Sequence, residues 1–317
     1  MNNTIAYSSQ TSFILQINDF ISEFIFYSSI TIVVPLILGN ILNILICARK
    51  NIRKEIIGIY NVVISIWNIL ALSFGLSLYF PASISIQDLT LTSDFLCVTI
   101  NYVMRVSVQM SAWLYVIMTI DRYLCVQFNN KLKFIFDDPK KLSLIFVGLF
   151  AIICGINIPN LFFRVSLDDQ SNLTCSSTPL INKIRNMMIS IFRIILPMIF
   201  QVVFSTLLIY KLFKVRRRVN SNQSMEKEYK FARTILWLNL MFIITETPYL
   251  LTTFYFSFLG VIPQYPLNVN ASHSIAIMTV AFYVTTLFSL YLFGSLFFVN
   301  LFTNKLFQTE IKLIFTF

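Results

Sequence analysis

Charge is scarce in this chain. Only 12% of its 317 residues are Asp, Glu, Lys or Arg, and 57% are hydrophobic; a soluble domain carries about 25% charged residues. That shortage excludes a water-soluble globular protein and points to lipid. Histidine occurs once, at His273. With no glycine-rich phosphate loop, no metal-ligand cluster and no nucleophile beside a base, an enzyme, a cofactor and a metal are all unexpected. Acidic residues are outnumbered 14 to 24 by Lys and Arg, giving a net charge of +10. Such a balance also suits nucleic-acid binding, but where the basic residues fall explains it differently.

Seven windows, roughly 24–48, 56–86, 95–120, 142–163, 186–210, 234–260 and 274–302, are long and apolar. Each meets the length of about 20 residues that a spanning helix needs. The first, second, fourth and seventh hold no charged residue at all. A β-barrel would show short alternating segments of about 10 residues instead. Apart from Arg105, Arg164, Lys183, Arg185 and Arg193, every Lys and Arg lies in the connections after windows one, three and five or after window seven. The positive-inside rule then places the N-terminus outside and the C-terminus in the cytoplasm of a multi-pass plasma-membrane protein. Nucleic acid is not an expected partner; membrane lipid is. The start is polar, with no basic head before a short apolar core, so window one is expected to act as a signal anchor.

The expected fold is therefore all-α, a seven-transmembrane helix bundle. Residues 1–23 form an extracellular N-terminus, 24–302 the membrane domain, and 303–317 a cytoplasmic tail. In that tail Leu306, Phe307, Ile311, Ile314 and Phe315 recur at helical spacing, which predicts an amphipathic helix on the inner leaflet. Cys97 and Cys175 fall near the outer face, where oxidation favours a bridge from window three to the loop before window five. Asn2 and Asn172 begin Asn-x-Thr sequons on that side and are expected glycan sites. Asn222 begins another that faces the cytoplasm.

Three charges interrupt the windows: Arg105, Arg193 and Glu246. Each would cost about 2.5–3.5 kcal/mol facing lipid at the bilayer centre, so each should turn into the bundle and find a partner. Arg105, Gln109, Arg193 and Glu246 are the candidate ligand contacts. A structural ion pair such as Arg105–Glu246 is the competing account, and a third makes Glu246 a cation or proton site. His273 is expected in a loop at the outer start of window seven.

Gly39-Asn40, Cys97, Trp113, Asp121-Arg122-Tyr123, Pro159, Pro197, and Phe242 six residues before Pro248 occur in order and in register. Through these residues the whole chain resembles the rhodopsin-like G-protein-coupled receptors. The resemblance implies an extracellular ligand, a heterotrimeric G-protein partner, and a switch formed by Asp121, Arg122 and Tyr123 with Glu228 at the inner end of helix six. An Arg122–Glu228 bridge would close the G-protein cavity, and a ligand could bias its opening. Asn40, Asn68, Ser111, Pro197, Phe242 and Pro248 are the implied conformational core.

Departures from the family pattern are specific. Asn68 stands where an Asp is usual, which removes the acid from a sodium site; Glu246 replaces a tryptophan; Ser205 replaces a tyrosine. The Asn-Pro-x-x-Tyr of helix seven runs from Leu296 to Asn300 without its proline or tyrosine. Met104 takes the place of the Asp that pairs amine ligands, and window seven has no lysine for retinal. Asn157-Ile-Pro159 and Thr303-Asn-Lys-Leu-Phe307 look like neuropeptide receptors of the FMRFamide type, so a peptide is the expected ligand. A weakly coupling or decayed chemosensory receptor is the alternative. A channel or transporter would need repeated pore polarity or paired broken helices, neither of which is visible.

Overall fold

Backbone in lipid has no water to bond, so apolar runs of this length must satisfy their N–H and C=O groups internally, as α-helices do. The computed structural model describes residues 2–53, 56–83, 89–127, 138–167, 173–216, 223–259 and 272–315. Among these, seven helices form a bundle: α1 (2–47), α2 (Ile56–Ser83), α3 (Asp94–Gln127), α4 (Pro139–Ile156), α5 (179–216), α6 (Gln223–Leu259) and α7 (His273–Thr303). Six have the length and apolarity to cross a membrane; α4 is shorter and is continued by the 3₁₀ turn Ile158–Phe162. Asn172 lies outside the described residues, as do the side chains of Asn2 and Glu228.

The fourth window ends in something the all-α expectation did not contain. Strands β1 (Arg164–Leu167) and β2 (Leu173–Ser176) pair antiparallel, with Val165 opposite Cys175. Two contacts fix the hairpin to α3. Cys175 is bonded to Cys97 at the start of α3, with Cα atoms 5.7 Å apart, and Asp94 Oδ1 accepts the Val165 N–H at 2.7 Å. Losing the bridge through Cys97→Ser, across a separation of 78 residues, is expected to cost at most about 4–5 kcal/mol, since the bilayer already restrains the unfolded chain. A lowered unfolding midpoint of the purified protein would report it.

Helix α1 begins at Asn2, more than twenty residues before the expected start of window one. Ile14, Ile21 and Ile25 share one face and are buried against Ala276 and Tyr283 of α7, which makes extending the helix favourable. Phe13 stacks on His273 with ring centroids 3.9 Å apart. His273 is thus the first residue of α7 in an aromatic contact, not a loop residue.

Two wide π turns interrupt the helices, at Ser29–Val33 in α1 and Ser190–Ile195 in α5. Each is followed by a proline, Pro35 or Pro197. A proline offers no N–H to the carbonyl four residues earlier and its ring presses on that carbonyl; a locally widened turn relieves both. The turn in α5 contains Arg193.

Helix α3 is the most buried of the spans and carries the core: Met110, Leu114, Tyr115 and Met118 pack with Tyr60 of α2 and Phe242 of α6. Leu38, Leu45, Leu144, Val147, Val203 and Phe213 point outward and are exposed, the apolar exterior that lipid requires. α7 and α1 approach closely: a Cβ on Gly294 would meet Leu36 Cγ at 2.9 Å, and Asn40 donates to the adjoining Phe293 carbonyl at 2.7 Å.

The predicted tail helix is present as α8 (Lys305–Phe315). Its Phe307 is fully buried against Ile46, Cys47 and Ile52, with Ile311 beside it, and Glu310 pairs with Arg49 at 2.8 Å.

Candidate functional site

Three helices bring charge into the half of the bundle that carries the disulfide. Arg193 projects from the π turn of α5 to Glu246 of α6, Nη2 to Oε1 at 3.4 Å. Both side chains are buried. The same guanidinium lies over the Tyr249 ring, 4.6 Å from its centroid; Tyr249 follows Glu246 by three residues and so shares its helix face. From α3, half-buried Arg105 brings a second guanidinium to the neighbourhood of Tyr249. The four side chains form one cluster of two guanidiniums, a carboxylate and a phenol. Nε of Arg105 and Oε2 of Glu246 are buried without a hydrogen-bond partner.

The expected Arg105–Glu246 pair does not form, because Arg193 takes the carboxylate. The π turn is the reason: it rotates Arg193 relative to a regular helix, a displacement that sequence spacing does not carry. Arg193 also supplies the counter-charge that the cation account of Glu246 assigned to an ion. Gln109 is committed to α4, since Asn157 Nδ2 donates to its Oε1 at 2.7 Å.

Below this cluster the core is polar but uncharged. Ser111 donates to Asn68 Oδ1 at 2.6 Å, Asn68 donates to Asn40 Oδ1 at 3.1 Å, and Asn40 continues to the Phe293 carbonyl. α1, α2, α3 and α7 are thereby joined through two amides. An amide can donate and accept at once, which a carboxylate cannot, so Asn68 suits this relay and not a sodium site.

Near the C-terminal end of α3, Arg122 bonds to Asp121 Oδ2 through Nε at 3.0 Å and Nη2 at 2.8 Å. Both are buried. The Tyr123 ring meets Phe204 of α5 edge-on, with centroids 5.7 Å apart. The expected Arg122–Glu228 contact falls on a side chain outside the described residues. Between α2, α3, α6 and α7 a cavity lined by Asn61, Met118, Thr234, Leu238 and Asn300 has room for about one water molecule.

A family model described as 7 transmembrane receptor (rhodopsin family) matches residues 39–293. The chain belongs to that family. No curated protein matches it.

The receptor is a multi-pass membrane protein with the helix bundle and the Cys97–Cys175 bridge described above, and rhodopsin-family proteins are receptors, not enzymes. Its departures from the family pattern acquire a structural meaning at Ser205. The Ser205 hydroxyl accepts from Asn239 Nδ2 at 2.7 Å. Asn239 is also joined to Thr119 of α3, whose hydroxyl stands 3.1 Å from Nδ2 and 3.3 Å from Oδ1. One amide therefore ties α6 to α3 and α5. A second tie, Thr234 to Thr303 at 2.7 Å, joins α6 to α7.

Neither Asn239 nor Tyr249 emerged from the sequence as a site residue. Asn239 had a signal, being a neutral amide inside an apolar window, where such a group must find a partner. Tyr249 had only its position three residues after Glu246.

Proposed function

We propose that the receptor stands in the plasma membrane with its N-terminus outside and its C-terminus in the cytoplasm, and passes binding of an extracellular peptide to a heterotrimeric G-protein. One observation carries this. The single most buried helix, α3, bears the disulfide to the outer hairpin at one end, Arg105 of the charged cluster about two turns further in, and the Asp121–Arg122 pair at the other end. A structural disulfide forms on the oxidising side, and the basic connections gather at the end that holds Arg122. A ligand that shifts α5 or α6 at the cluster acts on the same helices that Asn239 ties together near the inner end.

In this scheme Asp121, Arg122 and Tyr123, with Glu228, face the G-protein, and Asn2 and Asn172 carry glycans. A peptide fits a cluster containing both charge signs, because its backbone and termini offer donors and acceptors together. The resemblance to neuropeptide receptors points the same way.

Transfected cells challenged with a peptide library provide the test. G-protein activation by at least one peptide is expected in cells carrying the unaltered receptor, and Arg122→Ala is expected to abolish it at equal surface expression. A response that survives Arg122→Ala would overturn the assigned coupling end. Both termini accessible from the same side of intact cells would overturn the orientation.

A further inference from the structure

The charge in the outer cluster does not balance. Arg193 has Glu246; Arg105 lies beside Tyr249. Among the described residues no carboxylate pairs with Arg105. The acids that are described are occupied or remote: Asp94 accepts from the hairpin backbone, Asp121 holds Arg122, Asp138 caps α4, Glu310 holds Arg49, and Asp19 and Glu23 are exposed on α1.

A guanidinium inside the membrane span is costly without a counter-charge. It is planar and rigid, with a fork of donors matched to a carboxylate, and Nε, one arm of that fork, is buried and unbonded. Arg105 is only half-buried, so it keeps the accessible face that a pure core residue would lack. Close by, through the shared neighbour Tyr249, Oε2 of Glu246 is a buried acceptor with nothing donating to it.

We propose that Arg105 is the anchor for a ligand carboxylate and that Glu246 Oε2 accepts an N–H from the same ligand. The ligand class is an acid with an amide N–H next to the carboxylate. Two sources present that chemistry, the free C-terminal residue of a peptide and a small N-acyl amino acid. This rests on the receptor function proposed above and narrows it to free-acid ligands, setting aside the amidated peptides that the FMRFamide-type resemblance suggests, because a peptide amidated at its C-terminus cannot present the pair.

The test uses the full-length receptor purified into lipid nanodiscs, with thermal unfolding and direct binding as readouts that need no G-protein. The probes are N-acetyl-phenylalanine, its C-terminal amide, and N-acetylated di- and tripeptides with free or amidated ends. Free acids are expected to raise the unfolding midpoint where the amides do not. Arg105→Gln is expected to weaken acid binding about 10- to 100-fold, the loss of a charge-assisted hydrogen bond. Arg105→Lys, which keeps the charge and guards against a folding artefact, should retain part of the affinity. Tighter binding of the longer free-acid peptides identifies a peptide terminus, and equal binding of N-acetyl-phenylalanine identifies a small acid.

Equal stabilisation by acids and amides, no stabilisation by any acid, or unaltered acid binding in Arg105→Gln each overturns the assignment. Activation of a G-protein by an amidated peptide alone would also sink it while leaving the receptor function intact. Acid binding without any G-protein activation would do the reverse.

Discussion

Glu246→Leu is expected to destabilise the receptor by about 3–5 kcal/mol, the loss seen when one partner of a buried ion pair is removed. Arg193 would then hold an uncompensated charge in a nearly solvent-free site; it is only 5% exposed, and Glu246 1%. The Tyr249 ring would still face it, but a desolvated cation–π contact contributes about 2 kcal/mol and does not replace a counter-ion. The double variant Glu246→Leu with Arg193→Met removes both charges and is expected to recover most of the loss, because apolar replacement of a whole buried pair is neutral or stabilising. Thermal unfolding of the purified protein measures both. An unchanged midpoint for Glu246→Leu alone would mean that Arg193 draws its counter-charge from another group.

The second large effect is expected at Asn239, and it concerns activity. Its amide bonds to Thr119 and Ser205 hold α6 against α3 and α5. Hydrogen bonds between membrane helices average about 0.6 kcal/mol and reach about 1.7, so losing two of them removes about 1–3 kcal/mol from the closed arrangement. Since about 1.4 kcal/mol is a factor of ten, Asn239→Leu should raise the open population by about 5- to 100-fold. Ligand-free G-protein activation in cells is the functional readout. The distance between spin labels at the inner ends of α3 and α6 is the structural one. A receptor whose basal activity and helix spacing both stay unchanged would show that the Asn239 tie does not restrain α6.

Ser205 gives this expectation its physical sense. A serine there is short enough to sit against the Asn239 amide and accept from it. The missing tyrosine was legible in the sequence, but the bond that replaces it was not.

What could be read from residues alone followed from one-dimensional physics. The span count, the helix limits of windows two and seven, the start of window three and the tail helix depend on length, apolarity and period, and these are properties of a segment by itself. The Cys97–Cys175 pairing was legible for a similar reason: only two of the five cysteines lay near the oxidising face. The hairpin at 164–176 and the long start of α1 were not legible, because neither segment is distinctive until it meets its partner. β1 needs Asp94 and the disulfide to hold it, and Ile14, Ile21 and Ile25 need α7.

The same division runs through the site. Sequence alone determined that Arg105, Arg193 and Glu246 had to turn inward, since the cost of charge in lipid holds for any fold. Only the tertiary structure decided who pairs with whom. The π turn before Pro197 aims Arg193 at Glu246, and the packing of α3 against α6 leaves Arg105 with a phenol. A helical period places side chains on a face, but which faces meet, and with what rotation, is set by the packing of whole helices.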